Sequence, residues 1–192
     1  MDFRSTVSSL DFPFGAEHRV EPPEGDGDIR SLIDIILLVM RRSQFSLALS
    51  ESLTGGMLSS VIVGQHGASA VFRGADVVYS LPAHEDVLGI PGAYVRNYGI
   101  ESAEIAAAAA KSVWERFSST HAVAVSGFAS QWDGVLAADV GVAWMAFQTP
   151  RKTHVQRVDF SMFRGQKNLI REKACYAAAK ILLQLLFEEA GK

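Results

Sequence analysis

The residues best suited to chemistry stand together in Ala48-Leu49-Ser50-Glu51-Ser52-Leu53-Thr54-Gly55-Gly56-Met57. An apolar run, Phe45 to Leu49, has the length and composition of a buried strand, and it leads into a corner rich in hydroxyls: Ser50, Ser52 and Thr54. Two glycines then open a segment, Met57 to Val63, that continues as a helix. Glycines at a helix start let a ligand approach the backbone closely, and free N–H groups there attract an anion. A serine on this strand-to-helix corner is well placed to meet a bound substrate. The same residues fit a plain capped helix after a strand, with Ser52 or Thr54 as N-cap. Spacing alone leaves both readings open.

Other motifs follow in order. Glu51-Ser52-Leu53-Thr54-Gly55-Gly56 resembles the Glu-Ser-Cys-Thr-Gly-Gly motif of the CinA C-terminal family, whose enzymatic members are nicotinamide-nucleotide amidohydrolases. Gly67-Ala68-Ser69-Ala70-Val71-Phe72 is similar to the family's Gly-Ser-Ser-Ala-x-Phe, Val78-Tyr79-Ser80 to its Thr-Tyr-Ser, and Leu88-Gly89-Ile90 to its Leu-Gly-Val. Tyr98-Gly99-Ile100-Glu101-Ser102 resembles its Gly-Ala-Val-Ser, Val125-Ser126-Gly127-Phe128-Ala129 its Val-Thr-Gly-Ile-Ala, and Val140-Gly141-Val142-Ala143-Trp144 its Val-Gly-Thr-Val-Trp.

The resemblance implies hydrolysis of the carboxamide of nicotinamide mononucleotide, giving nicotinate mononucleotide and ammonia, with Ser52 as nucleophile. Serine is a poor nucleophile at neutral pH and needs a nearby base. The family's Tyr-Ser-Asn-x-x-Lys supplies a tyrosine and a lysine; here Tyr79 matches the tyrosine, Leu81 holds the asparagine position and His84 the lysine position. His84 reads either as a base in place of the amine or as an exposed polar residue beside Glu85 and Asp86. Ser126 either supports Ser52 and a ligand hydroxyl or satisfies the backbone at a strand end. The family's Gly-Pro-x-Gly-Gly loop becomes Ser130-Gln131-Trp132-Asp133-Gly134, where Trp132 is bulky and Asp133 would repel a phosphate. Its Gly-Asp-Arg-x-x-Val-Arg becomes Gly165-Gln166-Lys167-Asn168-Leu169-Ile170-Arg171, leaving Lys167 and Arg171 as cations for a phosphate or carboxylate. The expected catalytic set is therefore Ser52, Tyr79, His84 and Ser126. The expected substrate-binding set is Thr54, Gly55, Gly56, Lys167 and Arg171, with no metal and no cofactor. The departures support a second reading, a non-catalytic relative that binds a nucleotide-like ligand or a protein partner.

The elements that must position these residues are legible in outline. Leu32, Ile33, Ile36, Leu37 and Met40 recur at helical spacing up to Arg41 and Arg42. Asp76 to Tyr79 reads as a strand, and Pro82 opens a short helix ending near Gly89. Ser102 caps an alanine-rich helix to Phe117, and His121 to Ser126 is a strand. A loop from Gly127 to Asp139 follows. Val140 to Thr149 and Thr153 to Phe160 form a hairpin through Pro150-Arg151-Lys152, and Asn168 to Glu189 is a long amphipathic helix. Strands alternating with helices, then a hairpin, predict an α/β single domain over 29–192, with a mixed β-sheet flanked by helices on its faces. Residues 1–28, with Pro22, Pro23, Gly25 and Gly27, read as a flexible or loosely docked leader.

Composition bounds the rest. The chain has 192 residues, 48% of them hydrophobic and 20% charged, enough for a sizeable core. A net charge of −3 argues against a general nucleic-acid binder. One cysteine, Cys175, sits in an apolar helical pattern and reads as a packing residue. With no apolar signal core at the N-terminus and no run long enough to span a bilayer, the expected location is cytoplasmic. The expected partners are a small nucleotide-like molecule and further copies of the chain, with the alanine-rich and C-terminal helices as candidate interfaces.

Overall fold

Asp28 caps a helix: its carboxylate accepts the N–H groups of Arg30 (3.1 Å) and Ser31 (3.3 Å). The structure, a computed structural model, describes residues 28–131 and 139–190. The leader up to residue 27, and Trp132, Asp133 and Gly134, lie outside the described residues. The first helix, α1 (Ile29–Arg42), buries Ile33, Ile36, Leu37 and Met40 on one face. It ends with Gln44 in the left-handed region (φ 57°) and the Phe45 N–H donating to the Met40 carbonyl at 2.8 Å, a closure that satisfies the last turn.

The sheet has five strands: β1 (Leu47–Glu51), β2 (Phe72–Val77), β3 (His121–Gly127), β4 (Val142–Gln148) and β5 (Thr153–Asp159). Their spatial order is β2-β1-β3-β4-β5. β1 runs parallel to both β2 and β3, while β3, β4 and β5 are antiparallel. The mixed sheet matches the sequence expectation, and the β4–β5 hairpin turns at residues 150–152 as expected. The strand expected at Asp76 begins earlier, at Phe72. Arg73 and Gly74 interrupt its apolar pattern, and the register slips where they pass β1. Gly74 is required because a Cβ there would lie 2.5 Å from the Phe117 ring.

The remaining helices are α2 (Met57–Val63), α3 (Leu81–Asp86), α4 (Gly92–Tyr98), α5 (Ala103–Arg116) and α6 (Lys167–Ala190). Side chains alternate across β1, so Leu47 and Leu49 meet the layer of α1, α2 and α6 while Ala48 faces α5. On that second face Ala106, Ala109, Ala110 and Val113 pack on Ala48, Ala122, Ala124 and Ala146. Small residues on both sides bring the helix close to the sheet. The alanine run is thus spent inside this chain and is not an outward-facing interface. Cys175 is buried in the first layer, where burial pushes its thiol up to about 12. The expected packing role fits.

Candidate functional site

β1 and β3 lie side by side and parallel, yet the chain leaves them in opposite directions, β1 toward β2 and β3 toward β4. In open α/β sheets the crevice beyond the carboxyl ends of such a pair is the favoured ligand position. Ser52 follows the last residue of β1, and its N–H donates to the Val125 carbonyl at 3.0 Å. That bond fixes Ser52 beside Ser126 at the end of β3. Glu101, from the turn before α5, reaches both. The Ser126 hydroxyl donates to its Oε2, and the Ser52 hydroxyl lies close enough to favour the ionised carboxyl. Burial pushes the Glu101 carboxyl up to about 7, against the Ser126 and Ser52 hydroxyls, which favour the ionised form.

The glycine corner differs from the sequence expectation. Gly56 is the N-cap of α2 in a left-handed conformation (φ 88°), and no hydroxyl caps the helix. The cap is Glu51, fully buried, whose carboxylate accepts the N–H groups of Gly56 (3.0 Å), Leu58 (3.1 Å) and Ser59 (2.8 Å) and the Ser59 hydroxyl. The anion that these N–H groups attract is therefore the chain's own. Neither Ser52 nor Thr54 is the N-cap, because the longer glutamate side chain reaches past them from the strand. Thr54 is buried, and its Oγ1 finds no hydrogen-bond partner among the described residues.

Arg171 does come to the corner. Its guanidinium donates to the Thr54 carbonyl at 2.8 Å and to Asn168 Oδ1 at 3.3 Å. A Cβ on Gly55 would lie only 3.2 Å from Arg171 Nη2, so the glycine leaves room for the cation (φ 59°). Lys167, the first residue of α6, is exposed. Tyr79 lies just past β2 beside the corner, since the Val78 N–H donates to the Glu51 carbonyl at 2.9 Å, but its side chain is 70% exposed.

His84 is 2% exposed, unlike the exposed polar residue that its neighbours Glu85 and Asp86 suggest. Its Nδ1 lies 2.9 Å from the Ser80 carbonyl, which can only accept, so Nδ1 carries a proton. No hydrogen bond among the described residues joins Tyr79 or His84 to Ser52. The structure thus brings together Ser52 and Ser126, and separately Thr54, Gly55 and Arg171. Sequence reasoning missed Glu51 and Glu101 as members of the site. The available signal was an acidic residue at the end of an otherwise apolar strand, and another just ahead of a helix cap.

These features define an α/β domain with two serines and a buried glutamate at the switch point of a mixed sheet. The model of the CinA C-terminal domain matches residues 29–186, and the chain belongs to that family. It is 33% identical over 159 residues to a CinA-like protein of Geobacter sp. and 36% identical over 141 residues to one of Thermosipho melanesiensis. These alignments cover 83% and 73% of this chain but 38% and 35% of those relatives, so the chain spans well under half their length. A solved competence/damage inducible protein from Agrobacterium tumefaciens superposes with a TM-score of 0.75 at 26% identity, over 83% of this chain and 96% of that one. One from Enterobacter asburiae superposes with a TM-score of 0.77 at 22% identity, over 84% and 99%, which supports the fold.

Proposed function

We propose that this domain is an amidohydrolase of the nicotinamide-nucleotide type, in which Ser52 attacks the carboxamide carbon of a pyridine mononucleotide and releases ammonia. The observation that carries the reading is the position of Ser52: half-buried at the switch point, with its N–H held by the Val125 carbonyl next to Ser126. Ser126 donates to the Glu101 carboxyl at the same corner. Thr54, Gly55 and Arg171 shape the wall beside Ser52, while exposed Tyr79 and Lys167 are accessible to a ligand from solvent. His84, hydrogen-bonded within its own helix, keeps an unprotonated Nε2 when neutral and stays in this reading as a second proton acceptor. The cytoplasmic setting expected from the sequence accords with the absence, among the described residues, of any helix long and apolar enough to cross a membrane.

A second reading, a non-catalytic relative that binds a nucleotide-like ligand, draws on one specific observation. The N–H groups of the glycine corner are filled by Glu51, and two N–H groups of Arg171 are committed to Thr54 and Asn168. Fewer donors remain for a phosphate. Incubation with nicotinamide mononucleotide, paired with calorimetric titration of the same compound, separates the two. Ammonia release supports the enzyme, binding without ammonia supports the ligand-binding relative, and inertness in both assays would contradict both readings.

A further inference from the structure

We infer that Glu101 is the catalytic base of this site, taking the proton from Ser52 and returning it to the leaving amine. This deepens the reading of Ser52 as nucleophile and rests on it. The argument begins with what the site lacks. A serine nucleophile needs a partner to take its proton, and the position where the family places a lysine holds His84. That histidine is buried in α3 with Nδ1 committed to the Ser80 carbonyl, and no hydrogen bond links it to Ser52. The carboxyl at the Ser52 corner is Glu101: it accepts from Ser126, and the Ser52 N–H is fixed to the Val125 carbonyl next to that serine.

The polarity of the contacts is the required one. Ser126 donates its hydroxyl proton to Oε2, and the nearby Ser52 hydroxyl also favours the ionised carboxyl, the form that can accept a proton. Burial raises the carboxyl to about 7, where it is a stronger base than an ordinary glutamate and still partly ionised near neutrality. The titratable side chains on the surrounding elements include His84 on α3, Tyr94 and Tyr98 on α4, Glu104 on α5 and Arg171 on α6. None is among the causes of the Glu101 shift.

The steps balance. As Ser52 Oγ bonds to the carboxamide carbon, its proton passes to Glu101 and the C=O electron pair moves to oxygen. When the tetrahedral adduct collapses, the C–N bond breaks and Glu101 gives that proton to the departing NH2 group, which leaves as ammonia. Water then attacks the acyl-serine ester, again losing a proton to Glu101. The C–O bond to Ser52 breaks, and the Ser52 oxygen takes the proton back. The net change is carboxamide plus water to carboxylic acid plus ammonia. Ser126 is a positioning residue, because its hydroxyl donates to the Glu101 carboxyl and acts through it.

The test is the rate at which a fluorophosphonate labels Ser52, followed by peptide mass spectrometry from pH 5 to 9 (roughly two pH units either side of a midpoint near 7). For the wild type the rate should rise with pH as Glu101 loses its proton, with a midpoint near 7. Glu101→Gln should lower it by about a hundredfold or more and flatten the profile, while Glu101→Asp should retain the rise at a reduced rate. Ser126→Ala removes a bond that lowers the Glu101 pKa, so its midpoint should move upward. If Glu101→Gln fails to fold, Ser126→Ala decides alone, and an unmoved midpoint overturns the assignment. It is equally overturned if Ser52 is not labelled above the rate of an ordinary surface serine, or if the rise persists in Glu101→Gln and vanishes in His84→Gln. Labelling with this profile but no ammonia from nicotinamide mononucleotide would leave Glu101 as base and remove the proposed substrate. Ammonia release with a wild-type profile in Glu101→Gln would do the reverse.

Discussion

Glu51 and Glu101 are both carboxyls near one corner of the sheet, and their surroundings give them different work. Glu51 accepts three backbone N–H groups and a hydroxyl, which satisfies donors that a helix start otherwise leaves orphaned. Glu101 accepts from the Ser126 hydroxyl, and burial dominates its titration. Glu51→Gln retains the volume but replaces one acceptor oxygen with a donor, leaving buried N–H groups facing an amide nitrogen. It should therefore destabilise the fold by about 3 kcal/mol, measured by chemical denaturation. A loss below about 0.5 kcal/mol, ordinary for a surface change, would contradict the capping role. The glutamates were hard to read because a glutamate in a string of serines and glycines resembles a solvated charge. Only the strand direction shows that Glu51 reaches forward along its own chain to the helix that follows.

Among the elements, long periodic segments were legible and short or interrupted ones were not. The α1 pattern from Leu32 to Met40 and the alanine-rich α5 appear as expected. So does α6, because apolar residues recur along its length. The α4 helix follows Pro91 and begins with Gly92, and its seven residues carry too little periodicity to announce it. The first residue of β3, His121, shows a long-range link that the strand pattern hides. The Thr120 hydroxyl donates to the Ser46 carbonyl at 3.0 Å, so it accepts from His121 Nδ1 at 2.9 Å. His121 Nε2 then faces Glu189 Oε2 at 2.9 Å, and a proton must lie between the two. This pair fastens the end of α6 to the start of β3. Glu189→Ala should cost about 1–3 kcal/mol and speed amide exchange in the last turns of α6. Exchange unchanged from wild type would show that the apolar face holds the helix end unaided.

For the whole molecule, the sheet order and the two helical layers place Ser52 and Ser126 together although they stand 74 positions apart in sequence (126 − 52). The family motifs marked these serines one by one, but the chemistry between them depends on β1 and β3 being neighbours. Beside that crevice β2 is an edge strand, and Val77, Tyr79 and Leu81 around its end are exposed. Among the described residues no strand pairs with the outer edge of β2; an apolar row there suits burial against another copy, and we propose a homo-oligomer through this edge. Sedimentation should give a mass greater than one chain, and Val77→Lys with Leu81→Lys should return it toward a monomer. A wild type that sediments as one chain at all concentrations would contradict the proposal. The central claim, that Ser52 is the nucleophile of an amide hydrolase, is tested most directly by ammonia release from nicotinamide mononucleotide in wild type and in Ser52→Ala. The account predicts steady release by the wild type and loss of turnover in the variant, whereas a variant that releases ammonia at the wild-type rate would contradict it.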